Sequence, residues 1–350
     1  MATDMANDSP STAQTSKRRI YLLTHPRTAS NLLIKIFNFP SQNVPARFQA
    51  GYFFRPPVHY GVNQKTFHKS LTSWTPEHIA TVKQKYQDSF EEFKEWIDNG
   101  EKEGKIIFVK EHVCFLTDPV AQTQFHFSKD TELSERWQVQ STSTCGPIEK
   151  KIDTTSQTSP NNKTVLPDSF LLTFHPTFLI RHPALVFPSY YRAHMDTYGH
   201  PTTEAEELAL IAELEPWMTF HWQRTLYEFY SSGPSKPTIL DADDVILSPA
   251  VVMKHAELIG LEKENLQWDW EPLGLEELSK IPEGRGRRFV STISRSAGVE
   301  KGKVGEGLDL KVEAGKWMEE FGELVGGRME VWVKGALGDY EFLREKRLRS

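Results

Sequence analysis

Three short stretches hold residue types suited to handling an anion. In the first, "THPRTASNLL" (24–33), an apolar run breaks and Arg27, Thr28, Ser30 and Asn31 fill the break. A loop between a strand and a helix start offers unpaired backbone N–H groups and the positive end of the helix dipole. Three polar side chains and a guanidinium add to that, a combination suited to phosphate or sulfate. The stretch does not match GxxxxGK[ST], which disfavours a loop built for a nucleoside triphosphate and magnesium. Its ordinary reading is a capped turn, and the stretch alone leaves both open.

The second stretch, "LIRHPALVFPSYY" (179–191), places Arg181 at a strand end and Ser189 eight residues on. Together they could grip one dianion. Separately, Arg181 would be half of an ion pair and Ser189 would face backbone. The third, "FVKEHVCF" (108–115), has Lys110 and His112 two apart. On a strand they share a face, with Glu111 on the other. A lysine beside a histidine lowers the histidine's pKa, giving a cation next to a proton acceptor. The alternative is a surface Lys–Glu–His cluster.

Each stretch follows an apolar segment of strand length. Residues 18–24, 105–112, 175–183 and 237–246 read as strands, the last ending in three acids. Helical spacing follows at Leu32, Leu33, Ile36 and Phe37. It is clearest over 76–98, where Ile79, Val82, Tyr86, Phe90, Phe93 and Ile97 form one stripe. Thr75 is the expected N-cap, Pro76 the first helical residue, and Gly100 follows the end. Further helices are expected after Pro183, over 203–215 and 217–232, and over 248–260. Strands alternating with helices predict an α/β fold, a mostly parallel central sheet with helices on both faces. In such sheets ligands bind outside the carboxyl ends of the strands, which makes the three stretches candidates for one site.

The chain has 350 residues and a net charge of −6, without the basic excess of a nucleic-acid binder. Its two cysteines, Cys114 and Cys145, make no disulfide framework, and Cys114 reads as a core residue. No signal peptide or membrane-length apolar run occurs, so a cytoplasmic protein without membrane partners is expected. Residues 1–17 read as a disordered tail. Residues 18–350 read as one domain with a polar, mobile insertion around 117–169. "REKRLRS" at the C-terminus reads as a solvated basic tail.

Taken together, the stretches resemble the cytosolic-type sulfotransferases and their P-loop relatives, which use 3'-phosphoadenosine 5'-phosphosulfate (PAPS) as donor. "HPRTASNLL" is similar to that family's 5'-phosphosulfate loop, Pro-Lys/Arg-Ser-Gly-Thr-Thr. Pro26, Arg27, Thr28 and Ser30 fit it, Ala29 stands for Gly, and Asn31 for Thr. "LIRHPALVFPSYY" resembles the 3'-phosphate motif through Arg181 and Ser189. "VKEH" resembles a Lys-Thr-His stretch through Lys110 and His112. "LDADDVILSPAVVMKHAELIGL" (240–261) resembles the Glu-Asp strand end and helix that follow, with Asp243 and Asp244 as structural counterparts. The likeness covers most of residues 18–300, in matching order. The family's Arg-Lys-Gly and Gly-Asp-Trp-Lys segment is not present as such; Arg288, Ser294 or Arg295 in 284–303 are candidates for its role.

The resemblance implies sulfuryl transfer from PAPS to a hydroxyl, or an amine, of a small molecule, without a metal. His112 would be the general base, and Arg27 and Lys110 the charge neutralisers. Arg27, Thr28, Ala29, Ser30 and Asn31 would hold the 5' end of the donor, and Arg181 and Ser189 its 3'-phosphate. The aromatic stretch 49–61 could wall the acceptor pocket. Two other readings stay open: a P-loop kinase-like enzyme using ATP and magnesium, and a non-catalytic member that binds a nucleotide or a partner.

Overall fold

The structure is a computed structural model that describes residues 18–47, 50–127, 135–140, 159–234, 236–274, 276 and 294–350. Four strands, β1 (Arg19–Thr24), β2 (Ile107–His112), β3 (His175–Ile180) and β4 (Thr238–Asp241), form one parallel sheet in the order β2-β1-β3-β4. Thr24 stands opposite His112 on one side and Leu179 on the other.

Side chains alternate across each strand, and both faces are apolar. Tyr21, Leu23, Ile107, Val109, Phe178 and Ile180 pack on one side, largely against α3 (Pro76–Lys102) and the C-terminal helix Leu310–Glu345. Ile20, Leu22, Phe108, Leu179 and Leu240 pack on the other, against α1 (Ser30–Phe37) and the helix Pro249–Ile259. Burial on both faces is what an all-parallel sheet requires. The α/β expectation therefore holds.

Several boundaries differ from the sequence expectation. Thr75 caps α3 as expected, accepting from the His78 N–H, but the helix runs on to Lys102. Gly100 lies inside it, where a Cβ would come within 2.5 Å of Ile107 Cδ1. The strand expected over 237–246 stops at Asp241, whose carboxylate caps a short helix, Ala242–Leu247, by accepting from the Asp243 N–H. Of the segment expected to be a polar insertion, Val120, Trp137, Val139, Val165 and Leu166 lie in the core. Cys114 is buried, as expected; Cys145, Arg288 and the tail 1–17 lie outside the described residues.

The helix Leu310–Glu345 had no counterpart in the sequence reading. Six glycines dilute its apolar periodicity, and each would disfavour a helix by roughly 1 kcal/mol. Tertiary packing decides: Trp317, Met329, Trp332, Val333 and Tyr340 bury against the core. Gly322 breaks the helix in two at φ 81°. The C-terminal tail is docked rather than simply solvated. The Leu348 N–H donates to the Ile239 carbonyl, and Arg347 pairs with Asp244 at 2.7 Å. The Tyr340 hydroxyl donates to the buried Asp241 carboxylate at 2.8 Å. Tyr340→Phe should therefore destabilise the protein by about 1–3 kcal/mol in urea unfolding, since a buried carboxylate loses a donor.

The turn from β1 into α1 is strained. Arg27 and Ala29 both have positive φ, 72° and 63°. Ala29 is the N-cap of α1, and the Leu32 and Leu33 N–H groups both point at its carbonyl. The left-handed region costs a non-glycine residue roughly 1–2 kcal/mol. Glycine would remove that strain and add about 0.4–1 kcal/mol of unfolded-state entropy. Ala29→Gly is expected to raise stability by about 0.5–1 kcal/mol in the same measurement.

Candidate active site

The sheet order brings three of the chemistry-bearing stretches together. β1 is central to β2 and β3, so the loop after Thr24, the end of β2 and the loop after Ile180 open at one edge. They meet in a cavity of about 620 Å³. Arg27, Ala29, Ser30, Asn31, Arg181 and Ser189 line it, as does His112.

The contacts tie these residues to one another. Arg27 Nε donates to Ser189 Oγ at 2.9 Å. Arg181 donates from Nη1 to the Arg27 carbonyl at 3.2 Å and from Nη2 to the Lys303 carbonyl at 2.9 Å. Its Nε is buried without a hydrogen-bond partner among the described residues, a donor that an anion would satisfy. Two guanidinium groups and a hydroxyl thus converge, although Arg181 and Ser189 lie far from Arg27 in sequence. Thr28 does something else: fully buried, its hydroxyl donates to the His25 carbonyl and holds the turn.

The end of β2 supplies the second half. Lys110 is fully buried, and its Nζ donates to Asn31 Oδ1 at 2.7 Å. Burial lowers its pKa to about 7, opposed by the charge of Glu111. Glu111 points to the other side of the strand, where its carboxylate accepts from the Phe54 and His112 N–H groups. Burial raises it to about 8, opposed first by those N–H donors and then by Lys110. His112 is held well below the usual histidine value, mainly by burial and also by Lys110 and His25. Thr24 Oγ1 donates to the Glu111 carbonyl and lies 2.7 Å from His112 Nδ1. With its one proton so used, Thr24 accepts from Nδ1–H, and Nε2 carries the lone pair.

A segment of the aromatic stretch expected to wall a pocket presses against β2. Gly51 lies so close that a Cβ there would stand 1.8 Å from the Lys110 carbonyl, so a side chain is excluded. The Tyr52 N–H donates to that same carbonyl. The Tyr52 ring then faces Lys110 Nζ at 4.7 Å and the His112 ring at 4.8 Å, with Phe115 5.0 Å from His112 on another side. Tyr52 has φ 66°, and its hydroxyl bonds Ser30. The wall continues through Trp217, stacked on Phe67 at 4.7 Å and on Tyr190 at 5.6 Å. His25 lies behind it with Nδ1 2.8 Å from the Pro26 carbonyl and Nε2 2.6 Å from that of Trp217, joining the loop to the wall. Burial pushes it down to about 4.

The sequence reading covered Tyr52 only within the stretch 49–61 and residues 296–303 only within 284–303, and it left out Trp217. Ser296, Gly298, Glu300, Gly302 and Lys303 line the cavity; the proposed Ser294 and Arg295 do not. Asp243 anchors this segment, both carboxylate oxygens accepting from the Gly305 N–H at 2.9 Å. The available signal was spacing: Glu300-Lys301-Gly302 followed by Gly305-Glu306 is a degenerate Arg-Lys-Gly and Gly-Asp. Among the described residues no group of His, Cys, Asp and Glu could hold a metal ion, and no helix is long and apolar enough to cross a membrane.

Comparison with known proteins completes the picture. Sulfotransferase ppzF of Metarhizium rileyi (strain RCEF 4871) is 37% identical over 345 residues, 95% of this chain and 96% of the relative. Sulfotransferase ppzF of Metarhizium majus (strain ARSEF 297) is 37% identical over 347 residues, 95% of this chain and 97% of the relative. No protein-family profile and no solved structure matches the chain. Identity of this extent over nearly the whole length carries the conclusion that the chain belongs to the sulfotransferase family.

Proposed function

We propose that the protein transfers a sulfuryl group from PAPS to a hydroxyl of a small molecule. The observation that carries this reading is the junction of Arg27, Ser189 and Arg181 with His112 in one cavity, with Lys110 buried behind the lining and bonded to Asn31. Arg181 and Ser189 would hold the donor's 3'-phosphate. The N–H groups at the start of α1, with Ser30 and Asn31, would hold its 5'-phosphate. A kinase-like reading would leave the Arg181 end of the cavity unused and lacks the Lys-Ser/Thr pair that serves magnesium.

The acceptor's proton would go to His112 Nε2. Its depressed pKa keeps the imidazole neutral through the neutral range, and Thr24 fixes the tautomer. Lys110 and Arg27 would neutralise charge on the sulfuryl oxygens and the departing nucleotide. Lys110 is preset by Asn31, so little reorganisation is needed once the donor is bound.

Thermal unfolding with adenosine 3',5'-bisphosphate, with ATP–Mg and without ligand separates the readings. The bisphosphate at 100 times its Kd should add about 2.7 kcal/mol, and Arg181→Ala should abolish that gain. A preference for ATP–Mg would overturn the proposal, and a response to neither would favour a non-catalytic protein.

In acceptor assays, His112→Ala should lower kcat by about 10²–10⁴. The pH dependence has a definite sign. Lys110 must be a cation, and its lowered pKa means the charge is lost as pH rises through about 7. The kcat/KM profile, which reports the free enzyme, should therefore fall above about pH 7. Bound donor anion stabilises the cation, so the corresponding limb in kcat should lie at higher pH. Lys110→Arg, which cannot deprotonate, should remove the limb from kcat/KM even as it reduces the rate.

A further inference from the structure

The acceptor end of the cavity borders a second space. Tyr52, Arg55 and His59 line both, and beyond them lies a groove of about 650 Å³. Besides Arg55, its lining includes Arg47 and Lys85 and no carboxylate among the described residues. An arm attached to a molecule in the first cavity would meet three cationic side chains there.

These cations differ in how far they are already used. The Arg47 guanidinium lies 3.5 Å over the Phe53 ring and pairs with the exposed Glu92 at 2.9 Å. Lys85 stands 5.2 Å over the Tyr60 ring. Arg55, the first residue of α2 (Arg55–Asn63), is exposed and forms no ion pair with any described residue. Its charge already acts on the Tyr52 hydroxyl. Tyr52 thus has Lys110 and His112 near its ring and the charge of Arg55 near its hydroxyl. An anion at Arg55 would be neutralised locally, apart from the anionic donor, which has Arg27, Arg181 and Lys110.

We propose that the acceptor is a hydroxyl-bearing aromatic compound with an anionic arm, a carboxylate in the simplest case. The ring lies along Tyr52, Phe115 and Trp217 with its hydroxyl at His112, and the arm passes into the groove to meet Arg55, backed by Arg47 and Lys85. This rests on the sulfuryl-transfer reading above. A planar guanidinium suits a carboxylate because it can donate two parallel bonds. A cationic arm would be repelled by the same three charges.

The test is calorimetric titration of the full chain, with adenosine 3',5'-bisphosphate bound, using 6-hydroxy-2-naphthoate, 2-naphthol and 6-(aminomethyl)-2-naphthol. The carboxylate should bind about tenfold tighter than 2-naphthol, the scale of one charged hydrogen-bonding contact, and the ammonium compound weakest. Arg55→Gln should bring the carboxylate-to-naphthol ratio to about one, and Lys85→Gln should lower it by a smaller factor. Equal affinities, preference for the ammonium compound, or a ratio that survives Arg55→Gln would overturn the proposal. So would failure of all three naphthols to bind a chain that binds the bisphosphate. A chain that does not bind the bisphosphate removes the sulfuryl-transfer reading itself, and this proposal with it.

Discussion

Parallel pairing of β1 with β2 on one side and β3 on the other is the interaction on which the candidate site depends. Because the three strands run the same way, their carboxyl ends finish at one edge. The register sets Thr24 opposite His112, which lets a strand-end hydroxyl reach a ring nitrogen on the neighbouring strand. Any antiparallel order would send one of the three loops to the opposite edge. The two apolar faces stabilise this order, since a one-residue slip would turn Lys110 and His112 to the face where Glu111 now lies.

Within that frame, the site consists of ionisable groups kept out of water. Lys110, Glu111 and His112 are consecutive and buried. Each is provided with partners before any ligand arrives: Asn31 for Lys110, two backbone N–H groups for Glu111, Thr24 for His112. Those contacts offset part of the desolvation cost that would otherwise make such burial prohibitive. Burial itself moves the pKa values of the lysine and the carboxylate toward neutrality, and the N–H contacts to Glu111 oppose that move.

The loops around the site carry strain that the sheet holds in place. Arg27, Ala29 and Tyr52 all have positive φ. Thr28, bonded to the His25 carbonyl, closes one turn, and the approach of Gly51 to Lys110 closes the other. Strained backbone of this kind gathers at sites where the chain must present a group in one orientation. Tyr52 shows the result, its ring against Lys110 and His112 and its hydroxyl on Ser30.

Local signals in the sequence determined much of this protein. Apolar runs and capping residues marked the four strands and half of the α-helices among the described residues, because side-chain periodicity is a property of neighbours along the chain. The residue types at the strand ends marked Arg27, Lys110, His112, Arg181 and Ser189. Tertiary structure alone decided that these residues meet, since strand order depends on packing between distant segments. It also decided that the glycine-rich stretch after residue 310 is helical, because burial of Trp317 and Trp332 overrides weak propensity. The roles of Tyr52 and of residues 296–303 belong to the same class. Both are fixed by backbone contacts to partners far away in sequence, Lys110 for Tyr52 and Arg181 for Lys303, and no local pattern encodes a partner of that kind.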